Sequence, residues 1–484
     1  MNTQRIVILC TVIVVSFCSL GAACSEPKPL ELERVGIEAM TQGDYEQAES
    51  VFRELIALRP DSFVGYYNLA AALSMAGDAN GAVNELSTAI TLGFTDLRQI
   101  KRDPDLENLR ETSFYSQLVS SWPDLIQARR ESDVESMKGL IRRGLETRTD
   151  EHIKFELLSA HDQIATDQAL DELGVLADWA NGTLFTDTGS LVDQPWITVV
   201  LPDRAGFGKW AIKVFGPGVR GNISSVGGAY EHQKRRLVAQ DLGATLRHEF
   251  IHVLHWRDMN RLGQVHAPWI QEGLASLVED YDQVGNKVVP VVSWRTNIVK
   301  RMHQAHRLPK IAELASTQMQ SFTSNRPLAK YAQARGVMLY LLDQHQLTEF
   351  YANYVSQYDQ DSTGIMSLET TLGKEITEIE KDYREWIDGL DMVAETGADL
   401  SATLGIDIET GTGDGVIVKE LPGNARTRTG LRMGSVITAI DGRPTRDLLE
   451  FIRVLGQYSP GQTITIDHRR GSVHSKSDVV LLKK

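Results

Sequence analysis

Two imidazoles four residues apart, with a carboxylate beside the first, stand at His248-Glu249-Phe250-Ile251-His252. On a helix, positions i and i+4 share a face, so both rings can reach one cation, while Glu249 is rotated by about 100° and can touch a water on that cation. This is the H-E-x-x-H arrangement for zinc, with the Glu as general base. Its surroundings suit burial: Phe250, Ile251, Val253 and Leu254 are uncharged, whereas a charge there would lose its hydration without gaining a partner. Glu272 follows His252 with nineteen residues between, inside Trp269-Ile270-Gln271-Glu272-Gly273-Leu274-Ala275, a second helical pattern. All three cysteines, Cys10, Cys18 and Cys24, lie in the first 24 residues, so any later metal site must be built from imidazoles and carboxylates.

The pairing of HEFIHVLHW with PWIQEGLA resembles the gluzincins, the thermolysin-like clan of zinc metallopeptidases, in its peptidase-MA-like branch. The resemblance implies a thermolysin-like α+β domain over residues 150–395. It also implies one Zn²⁺ per chain, held by His248, His252 and Glu272 with a fourth position left for water. Glu249 would take a proton from that water as it attacks a peptide carbonyl, then deliver it to the leaving amine. A metzincin would need Gly at 255 and His at 258, where this chain has His255 and Asp258. In related peptidases a Tyr or His beyond the third ligand stabilises the oxyanion. Tyr331, on the helical run Tyr331–Leu342, matches that region, with Tyr230 and Tyr340 as rivals. Gly227-Gly228-Ala229-Tyr230 stands where the clan has an edge strand that pairs with substrate. His255, near the face of His248, is read as packing or support for a ligand, and Ser276 as either a bond to the ligand set or helix surface. Endopeptidase and aminopeptidase are both compatible with these residues, because spacing identifies no acidic group that would grip a substrate amine.

The elements that must hold these residues are marked by periodicity and punctuation. Ile197–Leu201 (ITVVL) predicts a strand, Gly216–Gly228 a Gly-rich connection and Ala244–His255 the metal-bearing helix; a charged stretch from Arg130 to Arg148 marks a boundary. Upstream, Ala and Leu recur at helical spacing with a period of 34, aligning Val35 with Leu69, Gly43-Asp44 with Gly77-Asp78, Ala48 with Ala82 and Phe52 with Leu86. This resembles the tetratricopeptide repeat, with two units and a cap from Gly93 to Leu118, over residues 30–128. It implies either a groove for a protein partner or a helical spacer. Downstream, residues 400–484 resemble a bacterial PDZ domain, with Gly430 and Gly434 before a strand Val436–Ile440, a hairpin signal at Asp441-Gly442 and a helix Leu448–Leu455. Ser435 stands where that family commonly has Asp. The resemblance implies that backbone amides near Leu404, Gly405 and Ile406 receive the carboxylate of a C-terminal peptide ligand added as a strand, the rival being a closed packing domain.

The expected architecture is therefore multidomain: a helical repeat pair, an α+β peptidase domain and a small β-rich module. With 50 Lys+Arg against 64 Asp+Glu the net charge is −14, and no basic stripe offers a nucleic-acid interface. Residues 1–23 read as a signal peptide, with one positive charge before the apolar run Ile6–Leu20 and small residues at Gly21-Ala22-Ala23. Cys24 then resembles the lipidated cysteine of a bacterial lipobox, although Leu20 lies one residue further back than is usual. The expectation is export to the bacterial cell envelope and a lipid anchor in the outer membrane, with plain secretion and a retained anchor as rivals. Proteins or peptides would be the substrates; the rival function is a catalytically silent envelope scaffold.

Overall fold

A computed structural model of the chain describes residues 28–140, 146–185, 196–216, 227–231, 234–285, 287–411 and 413–484. Cys24, the signal segment and most of the Gly-rich connection lie outside the described residues. Among the described residues no helix is long and apolar enough to cross a membrane. The chain divides into two compact units, one built on the helices up to Ser136 with Glu231–Arg235, the other on Met137–Tyr230 and Arg236–Lys484.

The first unit comprises α1 (Lys28–Gln42), α2 (Tyr45–Leu58), α3 (Phe63–Ala76), α4 (Ala79–Leu92), α5 (Leu97–Arg102), a 3₁₀ turn Pro104–Leu109 and the start of α6 (Ser113–Leu140). The repeated Gly-Asp pair explains its period. Gly43 and Gly77, at φ 78° and 88°, end α1 and α3 in the left-handed region. The next residues, Asp44 and Asp78, cap α2 and α4 by accepting the N–H of Gln47 at 3.0 Å and of Gly81 at 2.9 Å. Phe52, Leu69, Ala82 and Leu86 fill the core, and a Cβ on Gly36 would lie 2.3 Å from the Phe52 ring, so α1 approaches α2 only because residue 36 has none. The expected cap packs into the same core through Ile100, Leu106 and Leu109. Instead of breaking in the charged stretch that starts at Arg130, the chain continues as α6 to Leu140.

In the second unit β1 (Glu146–Asp150), β2 (Phe155–Ser159), β3 (Ile197–Leu201), β4 (Gly228–Glu231) and β5 (Arg236–Ala239) form a sheet in the order β1-β2-β3-β5-β4. Strands β2, β3 and β5 run parallel, and β1 antiparallel to β2. Every residue of β3 is buried, which is why ITVVL reads as an unbroken apolar run rather than an alternation. Helix α7 (Gln163–Thr183) lies between β2 and β3 and α8 (Arg204–Phe215) between β3 and β4, while α9 (Ala244–Leu262) and α10 (Pro268–Leu277) follow β5. After the hairpin β6 (Tyr281–Val284) and β7 (Lys287–Pro290) come α11 (Trp294–Gln304), α12 (Ile311–Ala315), α13 (Met319–Ser324), α14 (Pro327–Asp343), α15 (Leu347–Gln357), α16 (Ile365–Leu372) and α17 (Ile376–Gly389). Helix α9 outruns its expected end at His255 and stops at Gly263, φ 71°.

The same unit closes with a β-rich module: β8 (Ala402–Thr403), β9 (Asp407–Thr410), β10 (Val416–Glu420), α18 (Ala425–Thr429), β11 (Val436–Ile440), β12 (Arg443–Pro444), α19 (Leu448–Leu455), β13 (Thr463–Arg470), β14 (Val473–Val480) and β15 (Leu482–Lys483). The main sheet runs β14-β13-β11-β10-β9 with β12 on β11, and β15 pairs with β8. Asp441 and Gly442, at φ 48° and 75°, make the expected tight turn. Strand β9 begins at Asp407, and Gly405, at φ 63°, turns the chain just before it.

Candidate metal centre

Helix α9 begins just after Asp241, whose carboxylate accepts the N–H of Gly243 at 2.9 Å, the N–H of Thr245 at 3.2 Å and the Thr245 hydroxyl at 2.6 Å. One turn further on, His248 and His252 present Nε2 atoms 3.1 Å apart. Helix α10 brings Glu272 Oε2 to 3.2 Å from His248 Nε2 and 3.3 Å from His252 Nε2. All three residues are buried and form a group that could hold a metal ion. Tetrahedral zinc, with bonds of about 2.0–2.1 Å, places its ligand atoms about 3.3–3.4 Å apart, close to the spacing found here. The second Glu272 oxygen, Oε1, is buried without a hydrogen-bond partner among the described residues, as suits a carboxylate committed to a cation. Two imidazoles and a carboxylate, without thiolate, are the donor set expected for a catalytic rather than a structural zinc.

Helix α10 reaches this position because residue 273 is glycine. A Cβ there would meet Met338 Cγ at 2.8 Å and the Ala334 carbonyl at 2.9 Å, so α10 and α14 touch backbone to side chain. Arg335 of α14, fully buried, donates to the carbonyls of Ser276 at 2.8 Å and Asp280 at 3.1 Å, satisfying groups that the end of α10 leaves open.

A residue that the sequence reading missed orients the first ligand. Glu279 Oε1 lies 2.8 Å from His248 Nδ1, which directs Nε2 inward, and Arg295 grips the same carboxylate with Nη2 at 2.7 Å and with Nε. Burial pushes the Glu279 carboxyl up, yet Arg295 and His248 beside it hold it well below the usual carboxylate range. Glu279 lies just beyond α10, which ends at Leu277, so no helical spacing marked it in the sequence.

Glu249 is 1% exposed, and its Oε2 has no hydrogen-bond partner among the described residues. Burial raises its carboxyl above the ordinary value, with His252, His248 and the Tyr230 N–H offsetting part of that rise. The backbone of β4, an edge strand, passes directly over it: a Cβ on Gly228 would lie 3.1 Å from Glu249 Cγ and 2.5 Å from the Val238 carbonyl.

Of the three tyrosines considered, Tyr331 stands beside the centre. Its ring is 6.2 Å from that of His248, and burial, Glu272 and Glu249 push its phenol well above the ordinary range. Tyr230 packs its ring on Trp256 at 5.8 Å, and Tyr340 lies among Tyr383 and Trp386 at 5.7 and 5.5 Å. His255 turns to His266, with Nε2 2.7 Å from Nδ1, and stacks on Phe185, apart from the three donors. Ser276 Oγ is buried without a hydrogen-bond partner among the described residues. In the C-terminal module Leu404 is a core residue and Ile406 half-buried, while the Gly405 N–H donates to the Thr403 hydroxyl at 3.0 Å. Next to them, β9 is an edge of its sheet.

Comparisons with known proteins identify the flanking modules. A tetratricopeptide-repeat model matches residues 39–100 and a PDZ-domain model residues 402–481. A chloroplast protein of Arabidopsis thaliana is 27% identical over 110 residues, which is 22% of this chain; the chain spans about a third (32%) of that relative. Among solved structures, an aminopeptidase N family protein from Idiomarina loihiensis aligns over 70% of this chain and 67% of its own, at 14% identity and a TM-score of 0.30. The chain thus carries tetratricopeptide repeats, a helix-rich middle with a buried His-His-Glu group, and a PDZ domain.

Proposed function

We propose that this protein is a zinc-dependent, gluzincin-type peptidase that hydrolyses peptide bonds of proteins or peptides in the bacterial cell envelope, lipid-anchored to the outer membrane through Cys24. The observation that carries the reading is the set of three ligand atoms 3.1–3.3 Å apart, with a buried carboxylate on the next residue of the same helix. Zinc held by His248, His252 and Glu272 supplies a Lewis acid that makes water acidic near neutral pH. Glu249 accepts the proton of the attacking water, and the burial that raises its affinity for that proton suits it to pass the proton on to the leaving amine. Glu279 keeps His248 turned inward, and the Tyr331 hydroxyl donates to the oxyanion that develops on the carbonyl. Substrate lies extended along the edge of β4, where Gly228 lets its backbone come close to Glu249. The PDZ domain takes a C-terminal peptide beside Leu404, Gly405 and Ile406, and the repeats bind a protein partner.

The test uses purified mature protein, unfolded protein substrates and the Glu249→Gln variant. The reading expects cleavage by the parent and a loss of about 10²–10⁴-fold in the variant. Equal cleavage by both contradicts it.

A further inference from the structure

The ion pairs closest to the metal-bearing helix include residues of the PDZ domain. Arg247, immediately before His248, is 2% exposed. Its Nε donates to the Val278 carbonyl at 2.9 Å and its Nη2 to the Glu279 carbonyl at 2.6 Å, so it fixes the segment whose Glu279 side chain orients His248. Its Nη1 lies between two carboxylates, Glu172 of α7 at 3.3 Å and Glu450 of α19 at 3.2 Å. Glu450 belongs to the PDZ domain.

The contacts continue around the start of α9. Arg446, 4% exposed and also of the PDZ domain, donates through Nη1 to Glu172 and to the Leu242 carbonyl at 2.8 Å, and its own N–H donates to Glu450 at 2.7 Å. The Leu242 N–H donates in turn to the Gly413 carbonyl of the PDZ domain at 2.8 Å. Beyond Glu279, Arg443 and Arg453 bind Asp282 at 2.5 and 3.0 Å. Both ends of the ligand-bearing structure, the chain entering α9 and the chain leaving Glu279, are therefore held by charged groups of one module. Buried charges are costly unless paired, so losing one partner leaves Arg247 or Glu172 to find another, and the helix bearing His248 moves with them.

We propose that Arg446 and Glu450 are positioning residues for the metal centre, so that the PDZ domain is a working part of the peptidase rather than a tethered accessory. The proposal rests on the zinc-peptidase reading. Because coupling between two sites is reciprocal, zinc at His248, His252 and Glu272 also tightens α19.

Two measurements on the full mature chain test this. The zinc dissociation constant, read by competition with a chelator well below the unfolding temperature, should rise about tenfold in Arg446→Met. Arg446→Lys, which keeps the charge, should recover most of that loss, whereas a fold defect alone would not follow the charge. Hydrogen exchange of the parent, which requires no substitution, should be several-fold slower at residues 447–451 with zinc than after chelation. A parent that binds zinc, yet shows the same exchange at 447–451 with and without it, overturns the proposal alone. So does an Arg446→Met chain of parental zinc affinity. A parent that takes up no zinc overturns the peptidase reading and this proposal together.

Discussion

Which nitrogen an imidazole turns inward decides whether a pair of histidines can hold a cation, and here Glu279 decides it for His248. Replacing it by Gln keeps the shape but removes the charge that pairs with Arg295. The zinc dissociation constant is then expected to rise about 10–100-fold in a chelator competition, with activity restored by excess zinc. An unchanged constant contradicts the role. Tyr331→Phe removes one hydroxyl beside the centre, and the expectation is a fall in kcat of about 10²-fold with KM little altered, since the bond forms only as charge develops. An unchanged kcat contradicts that role. His248 and His252 were legible in the sequence because a helix converts a spacing of four into a shared face, whereas Glu272 entered only through the resemblance to gluzincins. Glu279 was not legible, since its side chain acts on His248 across 31 residues, a contact that depends on how α10 packs against α9.

Helices carry these residues only as well as they pack on one another. Gly273→Val would drive a branched side chain into Met338 and the Ala334 carbonyl, forcing α14 and Tyr331 away from α10. Overpacking of this kind is expected to cost about 1–3 kcal/mol in denaturant unfolding, and parental stability would show that α10 and α14 separate freely. Helix and strand positions were readable where an apolar pattern met turn residues, as at α2 and α4 after Gly-Asp pairs and at β11 before the Asp441-Gly442 turn. Their ends were less so. Helix α9 continues past His255 because Asp258 is paired with Arg261 and the Tyr351 hydroxyl, both at 2.7 Å, which makes a buried acid tolerable.

At the scale of the whole chain, module order was visible because a 34-residue period and PDZ-like turns are local signals. The union of the PDZ domain with the unit that carries the His-His-Glu group was not: its ion pairs join residues 203 and 274 positions apart, such as Arg247 with Glu450 and Glu172 with Arg446. The repeat unit also carries its own response to pH. In the repeats, burial raises Asp103 to about 6 while the Tyr67 hydroxyl donates to it at 2.8 Å. A carboxyl whose folded pKa lies above the unfolded value near 4 stabilises fully below about pH 4, and loses that contribution as the pH rises through about 6. The repeat unit is therefore expected to be more stable at pH 4.5 than at pH 7.5 by of order 1–2 kcal/mol from this group, and Asp103→Asn to flatten the difference in thermal unfolding. The same slope in parent and variant contradicts the assignment. The central claim, a metal held by His248, His252 and Glu272, is tested most directly by the zinc content of purified mature protein, measured by elemental mass spectrometry beside the Glu272→Ala variant. The account predicts one tightly held zinc per chain, weakened in the variant; a parent that holds no zinc even when supplied with it would contradict the account.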